Sequence, residues 1–355
     1  MNQHLLNDGE NFEKKLVVIV AMSGNMLLDF SGPTDVFTNA DKVLSFSGSK
    51  KGYDVLIVSP TRNRKIISPT GLEIICPYSA MEITRPIDTL IVAGNGFQTL
   101  KNPEYDDFCN WLTAMHPKNT RRIGSVCGGA FALARAGLLN GKNATTHWDL
   151  SEKLKKEFPL IHVNSNAFYT IDGNIYTSGG VSSGIDLALA LVEEDHGKDI
   201  AIKVARKLVF YLSRPGFQVQ FANLLPVYES SNIAGKLSNW CIENLDEPLD
   251  LVRIAGYLNM SPRNFTRVFH KQTGLSPAKF IEKLRVETAR KYLEDTDMPL
   301  ERIAEKCGLG GLVSMRRIFL RHLMTTPSDY RRAFRTSLKA AGVGELVQPK
   351  LQRAG

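Results

Sequence analysis

The feature that most restricts the fold of this chain is a change of hydrophobic pattern about two-thirds of the way along it. From Lys15 to about Glu194, short apolar runs alternate with segments of helical periodicity. After Ile233 the periodicity is helical throughout. Alternation of this kind predicts a mostly parallel sheet covered by helices, whereas helices alone predict an all-α domain. The 355 residues should therefore form two domains of different class.

The first region contains four apolar runs that are typical of strands buried on both faces. These runs are 16–21, 54–58, 89–93 and 122–126. Helical periodicity is found at 33–43, 105–115, 129–136 and 184–194. Two short hairpins are expected, within 66–75 and within 168–177, where Asp-Gly-Asn supplies residues that tolerate a positive φ. The pattern predicts a doubly wound α/β domain with a mostly parallel sheet.

The pattern also gives the expected domain boundaries. A further amphipathic helix is predicted at 199–212, and a stretch with two Pro, one Gly and few charges follows it, as in an extended linker. The predicted segments are an N-terminal extension (1–14), the α/β domain (15–212), a linker (213–232), the helical domain (233–335) and a flexible tail (336–355).

Charge distinguishes the two regions. Residues 1–244 are balanced, with 24 Lys and Arg against 24 Asp and Glu, whereas residues 245–355 carry 20 basic and 12 acidic side chains. The whole net charge of +8 therefore lies in the last third of the chain. A basic helical domain indicates a polyanionic partner, and double-stranded DNA is the first candidate; a solvated basic surface is the alternative.

A helix-turn-helix pattern begins at residue 249. An amphipathic helix over 249–258 is followed by a turn at 259–260 and by a second helix, which Ser261 can cap and Pro262 can open. The buried face of this second helix consists of Phe265, Val268 and Phe269. Its other face is free to enter a major groove, which is wide enough for one α-helix.

The same pattern is repeated over 300–325. Ile303 and Ala304 correspond to Ile254 and Ala255, and Met315, Ile318 and Phe319 correspond to the buried face described above. The helix expected between the two motifs, 277–294, would be about 27 Å long at 1.5 Å per residue. Two recognition helices on successive turns of the groove lie about 34 Å apart, so the DNA is expected to bend or tilt. A pair of simple helical hairpins is the alternative.

The segments GLSPAKFIEKLRVETARKYLE and CGL…MRRIFLRHLMTTPSDYRRAF resemble the AraC/XylS-type transcription factors over about residues 230–335. That family commonly has Gly where Met324 stands here, so the helix exit should differ slightly. The resemblance implies that one groove segment is read by Arg263, Thr266 and Arg267, and the next by Val313, Ser314, Arg316 and Arg317. It assigns phosphate contacts to Lys271, Arg331 and Arg332.

In the α/β region, Cys127 stands between a predicted strand and the Gly128-Gly129 start of a helix. This is the arrangement of a nucleophile elbow, in which a sharp turn presents one side chain at the edge of the sheet. A helix start can lower the pKa of a thiol and hold an anion. The loop Gly94-Asn95-Gly96 follows another strand and offers backbone N–H groups, so the two loops could form an oxyanion or carboxylate hole.

The segments LLDFSGPTDVF, VAGNGF, SVCGGAFALARAGLLNGKNATTHW and YTSGGVSSGIDLALALVEE resemble the flavodoxin-like superfamily of class I glutamine amidotransferases, intracellular proteases and the Parkinson-associated deglycase. Joined to an AraC-type domain, they resemble amidotransferase-like regulators that respond to amino acids or quaternary ammonium acids. The implied ligand-binding residues are Asp29, Gly94, Asn95, Gly96, Cys127, Gly128, His147, Trp148, Ser178 and Gly179.

Catalysis at Cys127 is disfavoured on sequence grounds. In the intracellular proteases a His directly follows the Cys, but here that residue is Gly128, and the stretch 177–180 lacks the His-x-Glu pair of the amidotransferases. A Cys without a base is a weak nucleophile at neutral pH. We therefore expect a pocket-lining cysteine, with an amidase or deglycase as the alternative and a packed cysteine without a role as the simplest reading.

The sequence as a whole predicts a cytoplasmic transcription regulator, with activation favoured by resemblance. The five scattered cysteines form no metal-binding pair, and neither a cofactor nor a metal site is expected. The expected partners are a promoter DNA element, a small-molecule effector, a second copy of the chain and RNA polymerase, with no membrane. A DNA-binding protein whose first domain only dimerises remains a further alternative.

Overall fold

The computed structural model describes residues 14–94, 96, 100–211, 218–226, 228–229 and 232–334. The predicted N-terminal extension (with the exception of Lys14), the predicted tail and Asn95 lie outside the described residues. The chain forms two compact units, residues 1–222 and residues 223–355. In the described part of the chain, no helix is long and apolar enough to cross a lipid bilayer.

The first unit is built on a seven-stranded sheet with the order β10-β11-β7-β6-β1-β2-β5. All neighbouring strands are parallel except the hairpin β10–β11. Its described strands are β1 (Lys15–Ala21), β2 (Tyr53–Ser59), β3 (Lys65–Ile67), β4 (Glu73–Ile75), β5 (Tyr78–Ser79), β6 (Ile87–Gly94), β7 (Thr120–Cys127), β8 (Asn143–Ala144), β9 (His162–Val163), β10 (Tyr169–Asp172) and β11 (Ile175–Ser178). The pairs β3–β4 and β8–β9 lie outside the main sheet.

Helices cover both faces of this sheet. The described helices are α1 (Leu27–Phe46), α2 (Asp106–Thr113), α3 (Gly129–Arg135), α4 (Ser151–Glu157), α5 (Ser182–His196) and α6 (Lys198–Lys207). Val18 and Val20 of β1 pack with α2 and α3, while Val17 and Ile19 pack with α1, α5 and α6. The continuous apolar runs are therefore explained by burial on both faces. The predicted α/β class is confirmed.

Helix α1 begins six residues before the predicted start at Pro33. Proline is favoured in the first turn of a helix, where its missing N–H is not needed. Here Pro33 lies inside the helix, and the Thr34 hydroxyl donates to the carbonyl oxygen of Phe30 at 2.7 Å. This earlier start places Asp29 in the first turn of α1, at the edge of the sheet where the parallel strands end.

Among its described residues, the second unit contains helices joined by turns and loops, and no strand. The helices are α7 (Ile233–Glu243), α8 (Leu251–Tyr257), α9 (Pro262–Thr273), α10 (Pro277–Asp295), α11 (Leu300–Lys306), α12 (Leu312–Leu323) and α13 (Pro327–Phe334). The α8–α9 and α11–α12 pairs are the two predicted helix-turn-helix motifs. Their turns contain Asn259 and Gly308, both in the left-handed region, with φ of +53° and +60°.

Each helix-turn-helix motif has a core of its own, and α10 contributes to both. Its first half supplies Phe280 and Leu284 to the core of Phe265 and Phe269. Its second half packs with the second motif, through Val286, Ala289 and Leu293. Of the predicted buried faces, Phe265, Phe269, Met315 and Phe319 are fully buried, whereas Val268 and Ile318 are half-buried at the edges of these faces. The connecting helix therefore holds both motifs in one unit.

The predicted linker differs from an extended chain where the structure describes it. Gln218–Gln220 form a turn of 3₁₀ helix, and Gln218 is buried within the first unit. Leu224 and Leu225 pack into the cores of the second unit. The low charge that suggested a linker instead reflects burial, because uncharged side chains in this stretch are needed inside both units.

Candidate functional site

The Cys127 elbow is built by a close approach of helix α3 to strand β6. Cys127 is the last residue of β7 and has a φ of +56°, which is strained for a residue with a side chain. A Cβ on Gly129 would lie 1.9 Å from the carbonyl oxygen of Val92, and one on Gly94 would lie 2.7 Å from the Gly129 nitrogen. Glycine is therefore required at both positions for the helix to start beside the sheet.

Asp29 is the group that faces the Cys127 thiol. Its carboxylate is 1% exposed, accepts the Val181 backbone N–H at 2.7 Å and is hydrogen-bonded to Cys127. Burial raises the pKa of Asp29 to about 6. Burial, with the charge of Asp29 added, raises the pKa of the Cys127 thiol to about 12. The Gly128 backbone N–H at the helix start acts to lower the thiol pKa, as the sequence suggested it could, but desolvation outweighs this effect.

The far side of the thiol is closed by backbone. Gly180 has a φ of +89°, and a Cβ there would lie 2.4 Å from the Cys127 Cβ. Val181 follows with a φ of +50°, and its N–H is directed to Asp29. The neighbouring Ser178 is fully buried and its hydroxyl donates to the Ser125 carbonyl oxygen at 3.4 Å. The groups that meet the thiol here are the Asp29 carboxyl and Gly180.

The loop after strand β8 forms another wall of the elbow. The Thr146 hydroxyl donates to the Cys127 carbonyl oxygen at 2.8 Å. His147 and Trp148 follow it, with their rings 5.1 Å apart, and burial lowers the pKa of His147. The His147 Nδ1 accepts the Asp149 N–H at 3.4 Å and so begins a 3₁₀ turn. His147 is therefore held as a neutral ring beside this wall.

The outer faces of α9 and α12 carry the basic residues of the two motifs. Arg263, Arg267 and Lys271 are exposed on α9, while the half-buried Thr266 donates its hydroxyl to the Pro262 carbonyl oxygen at 2.9 Å. On α12, the exposed residues are Val313, Arg316 and Arg317, and Ser314 is half-buried. Both faces expose guanidinium groups, which suit the guanine edge and the phosphate.

The two arginines of α13 have different environments. Arg332 is exposed and forms an ion pair with Asp329. Arg331 is half-buried, and its guanidinium donates to the Met298 carbonyl oxygen at 2.5 Å. Arg331 therefore ties α13 to the loop before α11, and Arg332 is the better placed of the two for a phosphate.

Comparison with known protein families agrees with both halves of this description. Residues 14–194, about half of the chain, match the DJ-1/PfpI family, and residues 254–333 match a helix-turn-helix domain. The chain belongs to the DJ-1/PfpI family. Its second unit adds an AraC-type helix-turn-helix domain, so this DJ-1/PfpI protein is a DNA-binding regulator by domain composition.

Individual relatives of this DJ-1/PfpI protein fall into two groups. The HTH-type transcriptional regulator GbdR of Pseudomonas aeruginosa is 29% identical over 76% of this chain and 72% of its own length. The isonitrile hydratase of Pseudomonas putida is 34% identical over 53% of this chain and 75% of its own length. A crystal structure of an AraC family transcriptional regulator from Pseudomonas putida aligns with a TM-score of 0.46 and 23% identity, over 55% of this chain and 99% of that one.

The structure of this DJ-1/PfpI protein brings most of the predicted pocket residues to one edge of the sheet. Gly94 pairs with Cys127 in neighbouring strands, and Asp29 comes from the start of α1. Gly96 has a φ of +111° and faces Leu150. Gly128 is the N-cap residue of α3, and the Gly179 N–H donates to the Phe168 carbonyl oxygen at 2.9 Å.

Sequence reasoning missed four residues of this site: Thr146, Gly180, Val181 and Gln218. Gly180 follows the predicted site residue Gly179, and the choice of glycine at this position could have indicated close packing. The side chain of Gln218 lies against Gly179, where a Cβ would be 2.3 Å from its carboxamide carbon. No signal in the sequence pointed to Gln218, because it lies in the stretch predicted as linker.

Proposed function

We propose that this DJ-1/PfpI regulator binds promoter DNA through α9 and α12 and binds a small metabolite at the Cys127 elbow. The observation that carries the DNA assignment is the exposure of Arg263, Arg267, Arg316 and Arg317 on the outer faces of the two second helices. Arg267 is further oriented by Asn264, whose side-chain oxygen accepts from its guanidinium at 3.0 Å. Base contacts are assigned to these helices, and phosphate contacts to Lys271 and Arg332.

The effector is proposed to be an amino acid or a quaternary ammonium acid. Asp29 supports this choice, because a buried carboxylate with a pKa of about 6 is largely ionised at neutral pH and favours a cationic group. The resemblance to amidotransferase-like regulators points to the same ligand class. Binding at the elbow is proposed to alter promoter occupancy, with activation of transcription favoured.

We propose that the elbow performs no catalysis. The thiol is protonated at neutral pH, because burial raises its pKa to about 12. The Asp29 carboxyl is placed to accept the thiol proton, but with a pKa of about 6 it is far too weak a base to ionise this thiol. The competing function is a Cys127-dependent hydratase or amidase, and the isonitrile hydratase relative is the observation that favours it. The proposal further includes a homodimer that acts on DNA in the cytoplasm and engages RNA polymerase.

Two variants of the full chain separate a sensor from an enzyme. Cys127→Ser keeps a small hydrogen-bonding group, so metabolite-dependent promoter occupancy should persist, whereas Cys127→Trp should fill the site and abolish the response while DNA binding survives. Cys109→Ser, which removes another buried thiol, is the matched control. Turnover of isonitrile or amide substrates by the wild type, lost together with the response in Cys127→Ser, would establish the enzyme instead.

The effector class is tested by thermal shift of the full chain with the amino acids, glycine betaine and L-carnitine. A compound that binds only the native state raises the unfolding temperature by mass action. The stabilising effect should disappear in Cys127→Trp and remain in Cys109→Ser. Stabilisation that is equal in both variants would place the compound elsewhere.

A further inference from the structure

Gln218 is a buried anchor near the end of the first unit. Its side chain is 4% exposed, and its amide nitrogen lies 3.1 Å from the Thr145 hydroxyl oxygen and 3.2 Å and 2.5 Å from the carbonyl oxygens of Thr146 and Ala167. Its backbone N–H donates to the Asn166 carbonyl oxygen at 2.8 Å. Leaving these buried groups unpaired would be costly, so this arrangement is strongly specified.

The anchor of Gln218 adjoins the Cys127 elbow from two directions. Thr146 receives a hydrogen bond from Gln218 and gives one to the Cys127 carbonyl oxygen. Gly179 is in contact with the Gln218 carboxamide, and the next residue, Gly180, is packed against the Cys127 side chain. A change in the volume or position of the elbow therefore acts on the groups that hold Gln218.

A second anchor follows within the same short segment, inside the second unit. The Leu224 N–H donates to a Glu287 carboxylate oxygen at 2.5 Å, and Glu287 forms an ion pair with Arg290 at 3.0 Å. Arg290 donates in turn to the Tyr330 hydroxyl at 2.8 Å, in the core of the second helix-turn-helix motif. Leu225 is buried in the core of the first motif.

The chain between the two anchors is short. Phe221 packs edge-on against Phe168 in the first unit, with ring centroids 6.2 Å apart, and only Ala222 and Asn223 separate Phe221 from Leu224. An extended residue spans at most about 3.6 Å, so two residues offer little slack. A displacement of the first anchor therefore acts on Leu224 with only Ala222 and Asn223 to absorb it.

We infer that residues 218–225 are a relay that transmits the state of the Cys127 elbow to the helix-turn-helix domain. Occupation of the elbow displaces Thr146 or Gly179, which loosens Gln218 and, through Ala222 and Asn223, the Leu224–Glu287 anchor. The relay rests on the proposed effector site, since it needs a ligand at the elbow as its natural input. Gln218 is a positioning residue in this scheme and does not itself contact the DNA.

The substitution Gly179→Ala tests the relay in the full chain without any ligand. Gly179 does not have a left-handed φ, so the added methyl group meets chiefly the Gln218 carboxamide, at 2.3–2.4 Å. We expect faster hydrogen exchange at the amides of Gln218 and Leu224. We also expect a change of about fivefold in affinity for a DNA duplex selected from a random pool, a size typical of allosteric coupling.

A double-mutant cycle shows whether Gln218 carries the effect. Gln218→Ala removes the side chain that the new methyl group meets, so it should itself speed exchange at Leu224 and shift the DNA affinity. Gly179→Ala should then add nothing in the Gln218→Ala background, because the two changes act through one contact. The control Gly256→Ala, at a helical site with no atom within 4 Å of the new methyl group, should leave exchange at Gln218 and Leu224 unchanged.

Two outcomes of the experiments without ligand overturn the relay. One is faster hydrogen exchange at Gln218 with unchanged exchange at Leu224 and unchanged DNA affinity; the other is additive effects of the two substitutions in the double-mutant cycle.

Hydrogen exchange measured with glycine betaine or L-carnitine separates a failure of the relay from a failure of the proposed effector site. If either compound stabilises the protein through Cys127 but leaves exchange at 218–225 unaltered, the relay is wrong and the effector site stands. If neither binds while Gly179→Ala still shifts DNA affinity, the relay stands and the proposed effector class is wrong.

Discussion

The Cys127 elbow and the outer faces of α9 and α12 use their polar groups in opposite ways. At the elbow, Asp29 is 1% exposed, and its charge and that of the thiol are governed by desolvation. On α9 and α12 the arginines are exposed and hydrated. A small ligand has to be recognised by a few closely fitted groups, whereas a polyanion is attracted over longer distances by accessible cations. The comparison predicts that small steric changes at the elbow destabilise the first unit. It also predicts that changes of charge on α9 and α12 weaken DNA binding.

The largest expected effect is at the elbow. Gly129→Ala places a methyl group 1.9 Å from the Val92 carbonyl oxygen, and this contact is with backbone, which cannot easily move. We expect the first unit to lose at least about 3 kcal/mol of stability through overpacking. Denaturant unfolding, followed by the fluorescence of Trp111 and Trp148 in a Trp240→Phe background, measures this loss.

The matched substitution in the DNA-binding unit should have the opposite sign. Gly256→Ala in α8 adds its methyl group to open space. Alanine is favoured over glycine within a helix by about 0.5–1 kcal/mol, so the second unit should be stabilised. Equal destabilisation by the two substitutions would show that the elbow is no more tightly packed than the exposed helix, and the comparison would fail.

A second prediction concerns pH. The folded-state pKa of Asp29, about 6, lies above its ordinary value of 3.8, so its protonated form favours folding. The resulting contribution is fully present below pH 3.8 and is lost as the pH rises through about 6. It amounts to about 2–3 kcal/mol. Asp29→Asn, which mimics the protonated group, should therefore be more stable than the wild type at pH 7.5.

The free energy of unfolding of the wild type and of Asp29→Asn, measured between pH 4 and pH 8, checks the direction of this effect. The stability of the wild type should fall relative to that of Asp29→Asn as the pH rises. Asp149→Asn, which changes an exposed carboxylate of the same unit, serves as the control. A constant difference between wild type and Asp29→Asn would mean that the Asp29 carboxyl is not desolvated.

On the DNA side, Arg267→Ala and Arg317→Ala should each cost about 1–3 kcal/mol of binding free energy and relax the preference at a few base pairs. Arg302→Ala is the matched control, since it removes an exposed arginine from α11, outside the recognition helices. Selection from randomised duplexes, at several salt concentrations, gives both quantities. Altered base preference in Arg302→Ala, but not in Arg267→Ala, would reassign the groove-facing helix.

A further small effect is expected from backbone conformation at the helix ends. Met324 ends α12 with a φ of +54°, whereas Gly274 ends α9 at the equivalent place with a φ of +69°. The left-handed conformation costs a residue with a side chain about 1–2 kcal/mol. Met324→Gly should therefore stabilise the second unit by about 1 kcal/mol, and Gly274→Ala should destabilise it similarly. Trp240 fluorescence during unfolding reports both, and a loss of stability in Met324→Gly would indicate that Met324 packing outweighs the strain.

The sequence alone was sufficient for features that repeat over short distances. The run at 16–21 predicted β1 within one residue, because each of its residues is buried against one of two helical layers. Phe265, Phe269, Met315 and Phe319 predicted the buried faces of both motifs, because helical periodicity alone puts them on one side. The prediction that Cys127 lacks the histidine of an intracellular protease likewise required only the next residue in the sequence, Gly128.

Other features depended on residues far apart in the chain. Asp29 and Val181 meet at Cys127 only after the sheet has formed, and the resulting burial, which no local pattern encodes, raises the pKa of the acid and the thiol. Arg122 looked like the first residue of a strand, yet it is buried in an ion pair with Asp195. Gln218 lay in an expected linker and became an anchor, because the carbonyl oxygens of Thr146 and Ala167 lie where its amide can reach them. Periodicity fixes which face of an element is buried, but only tertiary packing determines which polar groups meet there.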